Sequence, residues 1–168
     1  MEIREESPGD EAAIAALVAA AFAGAPHSAG TEAAIVAALR AAGALSLSLV
    51  AVEGGAAVGH VAFSPVAIGG RACGWLGLGP LAVLPGRQGG GIGGALVRAG
   101  LARLRAAGAA GCVLLGEPGY YRRFGFRAEP GLSLAGVPPA YFLALPFGAA
   151  VPRGPVTYHA AFQAAAPA

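Results

Sequence analysis

The part of this sequence with the clearest chemistry is a glycine-rich loop that opens directly into an amphipathic helix. The stretch 77–98 (GLGPLAVLPGRQGGGIGGALVR) predicts a buried apolar strand, a corner at Pro85 and then the loop, with the helix beginning at Gly91. The first N–H groups of a helix have no intrahelical partner, and the helix dipole places partial positive charge there. Glycines lack a Cβ, so a phosphate can approach these donors closely. The loop therefore predicts an anion site suited to a phosphate.

Hydrophobic periodicity predicts the elements that must hold this loop in place. A short strand at 2–6 precedes a first helix, for which Ser7 is the predicted N-cap and Gly24 the end. A second helix is predicted over 31–42. The polar connector 25–30 between the two helices is flexible enough to border a site.

Three strands then form a predicted antiparallel meander over 45–53, 57–68 and 73–84, and the third is apolar enough to be covered on both faces. A helix at 91–107 and a strand at 112–115 follow, which predicts a right-handed crossover to a strand parallel to the third. The remaining predicted elements are a short helix at 118–124 and strands at 141–146 and 156–162. The predicted fold class is α/β with mixed α+β character. It has a central mixed sheet of about six or seven strands, flanked by about four helices.

Length and composition limit the function classes. The 168 residues predict a single domain over 1–162, followed by a frayed tail at 163–168. The net charge is only +2, charged residues make up 12% and no polybasic run occurs, so no nucleic-acid partner is expected. No run of about 20 apolar residues suits a membrane span, and the acidic N-terminus is unlike a signal peptide. Cys73 and Cys112 fit a cytoplasmic protein as small buried side chains, with no disulfide and no metal site expected.

Two motifs, in this order, resemble landmarks of the GNAT superfamily of N-acetyltransferases. The family's acetyl-CoA signature is Gln or Arg, two residues, Gly, one residue, and Gly or Ala. Its later landmark is a Tyr four residues before a Gly-Phe pair. The residues that fill them are Gln88, Gly91 and Gly93 for the first, and Tyr121, Gly125 and Phe126 for the second. Because the chain holds 28 glycines, their spacing rather than their number carries the resemblance, which covers residues 2–127.

The resemblance implies a GNAT-like sheet, acetyl-CoA as co-substrate, and direct transfer of the acetyl group to a primary amine in a ternary complex. It implies that loop N–H groups hold the pyrophosphate and that the preceding strand pairs with the pantetheine arm like an added strand. The implied cofactor-binding residues are Gln88, Gly89, Gly90, Gly91, Ile92 and Gly93 in the loop, and Leu81, Ala82 and Val83 in the strand. A dinucleotide-binding fold is a distant alternative, because the motif follows antiparallel strands and no acidic residue stands at the required position.

Acyl transfer from a thioester needs an unprotonated amine, a donor for the developing oxyanion and an acid for the leaving thiolate. Backbone N–H groups from Leu81 to Val83 are the candidate oxyanion donors. The resemblance makes Tyr121 the candidate acid, with packing alone as the alternative, while its neighbour Tyr120 is expected to pack. Glu32 is the first candidate for the base, because the family commonly places acceptor-contacting groups there; the alternative is that it only stabilises a helix N-terminus.

Other groups remain open for the role of base, alone or through a water chain; they are His27, His60, Ser64 and Glu117. A histidine on an apolar strand is more often a core residue than a catalyst. The basic cluster consists of Arg122, Arg123 and Arg127. It is expected to be solvated or to contact the ribose phosphate of the cofactor.

The expected partner is a small-molecule or protein amine, whose identity the sequence does not give, with neither nucleic acid nor membrane involved. A homodimer through the last strands is compatible with the superfamily. The alternative function is a non-catalytic acyl-CoA-binding or interaction module that has kept the fold. No covalent enzyme intermediate is expected, because neither cysteine has a base beside it in the sequence.

Overall fold

A nine-stranded mixed sheet organises the protein, which a computed structural model describes for residues 1–148 and 150–164. The strands are β1 (Glu2–Glu5), β2 (Leu47–Glu53), β3 (Ala56–Ile68), β4 (Arg71–Val83), β5 (Gly111–Leu115), β6 (Arg127–Ala128), β7 (Leu132–Ser133), β8 (Phe142–Pro146) and β9 (Gly154–Tyr158). The helices are α1 (Glu11–Phe22), α2 (Glu32–Ala41), α3 (Ile92–Ala106), α4 (Pro118–Tyr121) and α5 (Ala161–Ala164). Short 3₁₀ turns lie at Pro85–Arg87, Arg122–Phe124 and Pro139–Tyr141.

The strand order confirms the predicted fold class. β1, β2, β3 and β4 are antiparallel neighbours in that order, and β5 lies parallel to β4 after the crossover through α3. β8 pairs antiparallel with β5, β6 pairs with β8, and β9 pairs with β3 and β7. The sheet has more strands than predicted because β6 and β7 have two residues each, too few to show a period of two in the sequence.

The two faces of the sheet carry separate cores. Val61 and Phe63 of β3 pack with α3, while Ala62 between them packs with the buried side chains of α1 and α2. α3 lies close to its face because Gly100 has no side chain: a Cβ there would stand 2.4 Å from a ring carbon of Phe63. Alternation from Val61 to Phe63 therefore places neighbouring residues on opposite faces, whereas Val66 and Ile68 pack in a further cluster with Trp75.

β4 separates from its parallel neighbour before it ends. β5 pairs with β4 only over Trp75–Gly77, opposite Gly111–Val113. β4 continues to Val83 with β3 as its partner, after a bulge between Leu78 and Leu81. The β5 side of this last part of β4 therefore faces a gap in the sheet, next to the N-terminus of α3.

α1 begins at Glu11 with Asp10 as its N-cap, and not directly after Ser7, which was the predicted N-cap. Residues 7–10 form a turn in which the Asp10 N–H donates to the Ser7 carbonyl oxygen at 3.0 Å. The Asp10 carboxylate accepts the Ser7 N–H at 2.7 Å and pairs with Arg4 at 2.7 Å. Asp10 stands at the N-cap position of α1, where its carbonyl oxygen accepts the first helical hydrogen bond from the Ile14 N–H at 2.9 Å.

The predicted strand 156–162 ends at Tyr158, because α5 begins three residues later. His159 Nδ1 accepts the Ala161 N–H at 3.0 Å and so caps the start of this helix. The predicted tail 163–168 overlaps α5 at Gln163 and Ala164, and residues 165–168 lie outside the described residues. Of the helices described here, none has the length and apolar character that a bilayer crossing needs.

We expect Gly100→Ala to lower the free energy of unfolding by about 1 to 2 kcal/mol, because the new methyl group overlaps the Phe63 ring. Gly94→Ala is the matched control in the same helix. Its nearest neighbour is a guanidinium nitrogen of Arg98 at 3.2 Å, which can move. This change should raise stability by about 0.5 to 1 kcal/mol through helix propensity. Urea unfolding of both variants measures the difference, and effects of the same sign would contradict the packing argument.

Candidate active site

A cleft of about 470 Å³ lies where β4 separates from β5, beside the N-terminus of α3. We call it the α3 cleft. Its lining residues are Leu81, Val83, Arg87, Gln88, Gly89, Gly91, Ile92, Gly93, Gly94, Arg98, Tyr120 and Arg123. All the predicted cofactor-binding residues except Ala82 and Gly90 line this one cleft. The structure thus brings together the strand and the loop that the sequence places side by side.

The loop conformation depends on glycine at two positions. Gly89 and Gly91 have φ angles of +81° and +86°, in the left-handed region that other residues rarely adopt. The Gln88 side chain donates to the Val83 carbonyl oxygen at 3.1 Å and ties the loop to the end of β4. The first helical hydrogen bond runs from the Ala95 N–H to the Gly91 carbonyl, so the N–H groups before it have no acceptor within the helix. They border the cleft as an anion-binding helix terminus.

The charge of the α3 cleft is positive. Arg87, Arg98 and Arg123 are among its lining residues, the described lining includes no acidic residue, and Arg87 pairs with Glu53 outside the cleft at 2.7 Å. Arg123 lies over the Tyr120 ring at 4.4 Å and donates to the Tyr120 carbonyl oxygen at 2.8 Å. Arg98 lies over the Phe124 ring at 5.0 Å. Aromatic faces hold these two cations in place, and the cleft therefore suits a ligand with several negative charges.

Two of the predicted cofactor-binding residues lie differently from the rest. The Ala82 side chain is 2% exposed and packs in the core on the α1/α2 face, so only its backbone lies along the cleft. Gly90 is exposed at the outside of the loop, between lining residues Gly89 and Gly91. Any contribution of these two residues to binding must come from their backbone groups.

The adjacent tyrosines occupy different environments. The Tyr120 hydroxyl oxygen lies 3.4 Å from the point where a Cβ on Gly93 would stand, so Tyr120 lines the cleft and does more than pack, contrary to expectation. Tyr121 is half-buried and covers Gly116, where a Cβ would stand 2.5 Å from its ring. Burial raises the pKa of Tyr121 to about 12, with a smaller contribution from Tyr120. The Tyr121 phenol therefore keeps its proton at neutral pH.

Glu32 lies in a second cavity, of about 320 Å³, formed around the connector between α1 and α2. Its carboxylate accepts the Ser28 hydroxyl at 2.7 Å. This cavity shares no lining residue with the α3 cleft. Glu117 is exposed and its carbonyl oxygen accepts the Tyr121 N–H at 3.1 Å, while His27 is exposed in the connector. The structure therefore does not bring these carboxylates into contact with the α3 cleft.

His60 lies inside the sheet, fully buried on the α1/α2 face. Its Nε2 is 2.8 Å from the Ser48 hydroxyl oxygen. Burial lowers the pKa of His60 to about 4, although the nearby Glu6 carboxylate acts in the opposite direction. Ser64 is also fully buried, and its hydroxyl has no hydrogen-bond partner among the described residues.

Sequence reasoning missed Arg98 and Tyr120 as cleft residues. Arg98 follows Gly94 by four positions and so shares its face of α3, a signal that was present in the sequence. Tyr120 and Arg123 are three positions apart across the short helix and the following 3₁₀ turn, which places them on one side. Arg122 and Arg127 are exposed and do not line the cleft, so only one arginine of the predicted basic cluster reaches it.

Comparison with known proteins identifies the family. The model of the acetyltransferase (GNAT) domain matches residues 44–128. The chain belongs to the GNAT family of acetyltransferases. The uncharacterized N-acetyltransferase YhbS of Escherichia coli K12 is 42% identical over 127 residues, which make up 75% of this chain and 73% of that protein. The family and the enzyme class predicted from the two motifs are thereby confirmed.

Two solved structures extend the similarity over nearly the whole chain. A GNAT family acetyltransferase from Brucella melitensis, in complex with acetyl-CoA, is 57% identical with a TM-score of 0.87, covering 96% of this chain and 97% of that one. YhbS from Escherichia coli, in complex with CoA, is 36% identical with a TM-score of 0.86, covering 96% and 91%. Both relatives therefore carry the co-substrate, or its product form, that the sequence predicts for this chain.

We expect the free energy of unfolding to fall more steeply between pH 10 and pH 12 in the wild type than in Tyr121→Phe. A tyrosine in the unfolded chain titrates near 10, whereas the folded pKa of Tyr121 is about 12. The unfolded state therefore ionises first. The stabilisation is complete below pH 10 and is lost as the pH rises toward 12. Urea unfolding at successive pH values measures the slope. Tyr141→Phe, which removes an exposed tyrosine, should keep the wild-type slope.

Proposed function

We propose that this GNAT protein binds acetyl-CoA in the α3 cleft and transfers its acetyl group to a primary amine by direct attack in a ternary complex. One observation carries the proposal: the signature residues line a single cleft. Three arginines and the first N–H groups of α3 border the same cleft, and its described lining includes no acidic residue. The acetyl-CoA complex of the Brucella relative supports the same choice of co-substrate.

The pyrophosphate fits at the start of α3, where the N–H groups of Ile92, Gly93 and Gly94 have no helical acceptor. The pantetheine arm fits along β4 from Leu81 to Val83, because this part of β4 has lost β5 as a neighbour. An extended chain there can pair with the free strand edge. The reacting thioester then lies in the gap between β4 and β5.

The chemistry assigned to this chain's residues follows from that placement. Backbone N–H groups near Leu81 donate to the oxyanion as the amine nitrogen bonds to the carbonyl carbon. The carbon–sulfur bond then breaks, and Tyr121 donates its proton to the thiolate sulfur. Its ring is held by Gly116 and by Phe126, whose centroid lies 6.1 Å away. Tyr120, with its hydroxyl over Gly93, is assigned to cofactor contact.

The acceptor amine enters from the side of the α1–α2 connector, where Glu32 is held by Ser28. A carboxylate there attracts a cationic amine, which is the role we assign to Glu32 in place of direct contact with the reacting atoms. We infer a cytoplasmic location from the cysteine usage and composition. A homodimer remains a prediction of the family resemblance.

The experiment that tests the function is an acceptor screen. Purified protein and acetyl-CoA are mixed with pools of amines, amino acids, polyamines and peptides, and release of free thiol is followed. We expect turnover with at least one pool. Tight acetyl-CoA binding without turnover on any amine would favour a binding module over an enzyme.

We expect Gly93→Leu to weaken acetyl-CoA binding by about 100-fold or more, a loss of about 2.7 kcal/mol. The new side chain would occupy the space between the Tyr120 hydroxyl and β4, where Val83 lies 3.7 Å from the Cβ position. Gly86→Leu is the matched control, because a Cβ there meets nothing within 4 Å and Gly86 does not line the cleft. Isothermal titration calorimetry measures both affinities. Wild-type binding by a folded Gly93→Leu protein would refute the placement.

We expect Tyr121→Phe to lower kcat by about 100-fold or more, with the Kd of acetyl-CoA little changed, because the variant loses the proton donor and keeps the ring. Tyr120→Phe should instead raise the Kd of acetyl-CoA and leave kcat nearly intact. Steady-state kinetics and calorimetry on the two variants separate the roles. The reverse pattern would assign the acid to Tyr120.

A further inference from the structure

A chain of hydrogen bonds links the buried centre of the sheet to the protein surface. Arg40 of α2 donates through Nε and a terminal nitrogen to both Glu6 carboxylate oxygens, at 2.7 and 3.0 Å. The Ser48 hydroxyl donates to Glu6 at 2.5 Å and also lies 2.8 Å from Nε2 of His60. Glu6, Arg40 and Ser48 line a surface groove of about 270 Å³. One end of the chain therefore reaches solvent, while His60 at the other end is fully buried.

The chain fixes which nitrogen of His60 carries the proton. Burial raises the pKa of Glu6, but hydrogen bonds from Arg40 and Ser48 outweigh it and hold this pKa below its usual value, so Glu6 is an acceptor only. The single hydroxyl proton of Ser48 is used toward Glu6. The bond between Ser48 and His60 must then be donated by Nε2–H. Nδ1 is left without a proton, as a lone-pair acceptor.

Among the described residues, His60 Nδ1 has no hydrogen-bond partner. His60 Nδ1 and Ser64 Oγ are the two fully buried side-chain polar atoms without a hydrogen-bond partner within residues 1–148 and 150–164. A polar atom buried without a partner is costly, and native proteins keep such atoms mainly where water or catalytic chemistry supplies the partner. Alternation along β3 puts both side chains on the α1/α2 face.

The register between β3 and β4 places these two atoms beside the cofactor path. His60 is opposite Ala82, whose neighbours Leu81 and Val83 line the α3 cleft. Ser64 is opposite Gly77, the last residue of β4 that pairs with β5. The two unpartnered atoms thus bracket the part of β4 along which the thioester would lie. They are on the face covered by α1 and α2, whose connector borders the acceptor side.

An amine acceptor brings a proton that must leave the site. A primary ammonium has a pKa of about 10.4, so the bound acceptor is charged at neutral pH and must be deprotonated before it attacks. We propose that His60, Ser48 and Glu6 form a proton relay that carries this proton from the bound ammonium, through buried water, to the surface groove. The proposal rests on the proposed acetyl transfer and assigns it a base that no carboxylate in the α3 cleft provides.

The proposed relay accounts for every proton that moves during one turnover. The ammonium proton passes through water to His60 Nδ1, while the Nε2 proton moves to Ser48 Oγ and the Ser48 proton moves to Glu6, which releases it to solvent in the groove. The neutral amine then forms the carbon–nitrogen bond. After the attack the nitrogen gives its second proton through water to the Tyr121 oxygen, because Tyr121 has passed its own proton to the thiolate, and His60 must regain its Nε2–H tautomer before the next turnover. One net proton leaves per turnover. Arg40, which orients Glu6, is a positioning residue.

The test compares pH profiles of kcat/KM for the amine found in the acceptor screen. Ser48→Ala breaks the relay and Glu6→Gln removes its terminal acceptor. We expect both to lose about 10- to 100-fold at pH 7. The pH midpoint of kcat/KM should also rise in both variants toward the pKa of the free amine, because only neutral amine then reacts. Ser48→Thr keeps the hydroxyl and should restore the wild-type profile. Calorimetry with acetyl-CoA should give the wild-type Kd for all of them.

Matched controls lie in the same groove. Ser46→Ala and Glu5→Gln alter exposed side chains that make none of these hydrogen bonds and should behave as wild type. A Ser48→Ala loss that is equal at every pH, or no loss, would overturn the relay while wild-type turnover upholds the acetyl transfer. A wild type that turns over no amine removes both. Independently of any acceptor, two-bond ¹H–¹⁵N NMR should show His60 protonated at Nε2, and protonation at Nδ1 would overturn the relay.

Discussion

Backbone pairing along β4 is the constraint on which the rest of the structure depends. On one side β4 pairs with β3 to its end, but on the other it pairs with β5 over only three residues, Trp75–Gly77. A strand in the middle of a sheet that loses a neighbour exposes N–H and C=O groups that need partners. The N-terminus of α3, the glycine loop and Tyr120 surround this edge, which the Gln88 side chain contacts at the Val83 carbonyl oxygen. The site is therefore a gap in the sheet, built to accept an extended ligand.

Close contacts between aromatic rings and glycines fix the positions of the elements around the gap. Tyr121 covers Gly116 just after β5, and Trp75 covers Gly111 at its start, where a Cβ would stand 2.6 Å from the ring. Phe63 covers Gly100 on α3 in the same way. In each pair the glycine allows a neighbouring element to approach closely, and the large ring fills the core. None of these three glycines has a positive φ, so packing and not backbone conformation requires them.

The sequence predicted the parts of the structure whose causes are local. The meander, the crossover helix and the glycine loop follow from periodicity and from spacing, and Gln88, Gly91 and Gly93 lie together in one cleft at the start of α3. The prediction of Ser7 as the N-cap of α1 was wrong, because Asp10 takes that position and pairs there with Arg4. The error on Tyr120 depends on contacts distant in the chain. The position of Tyr120 in the cleft depends on how the short α4 docks against Gly93, which periodicity over four residues cannot give.

The two faces of the sheet differ in polarity. In the proposed function, the loop, the arginines and Tyr120 bind one ligand at the α3 cleft, whose negative charge suits cations and N–H donors. The other face is lined with apolar side chains of α1 and α2, and there a charged acceptor would be poorly solvated. A buried neutral histidine is stabilised on such a face when its N–H has a hydrogen-bond acceptor. Burial keeps the His60 ring neutral at rest, and the Ser48–Glu6–Arg40 chain supplies this acceptor. In the proposed relay the same chain gives a passing proton a connected way to solvent. Under the two proposals, the polar residues in the core serve to move one proton, while the cleft serves to hold several negative charges.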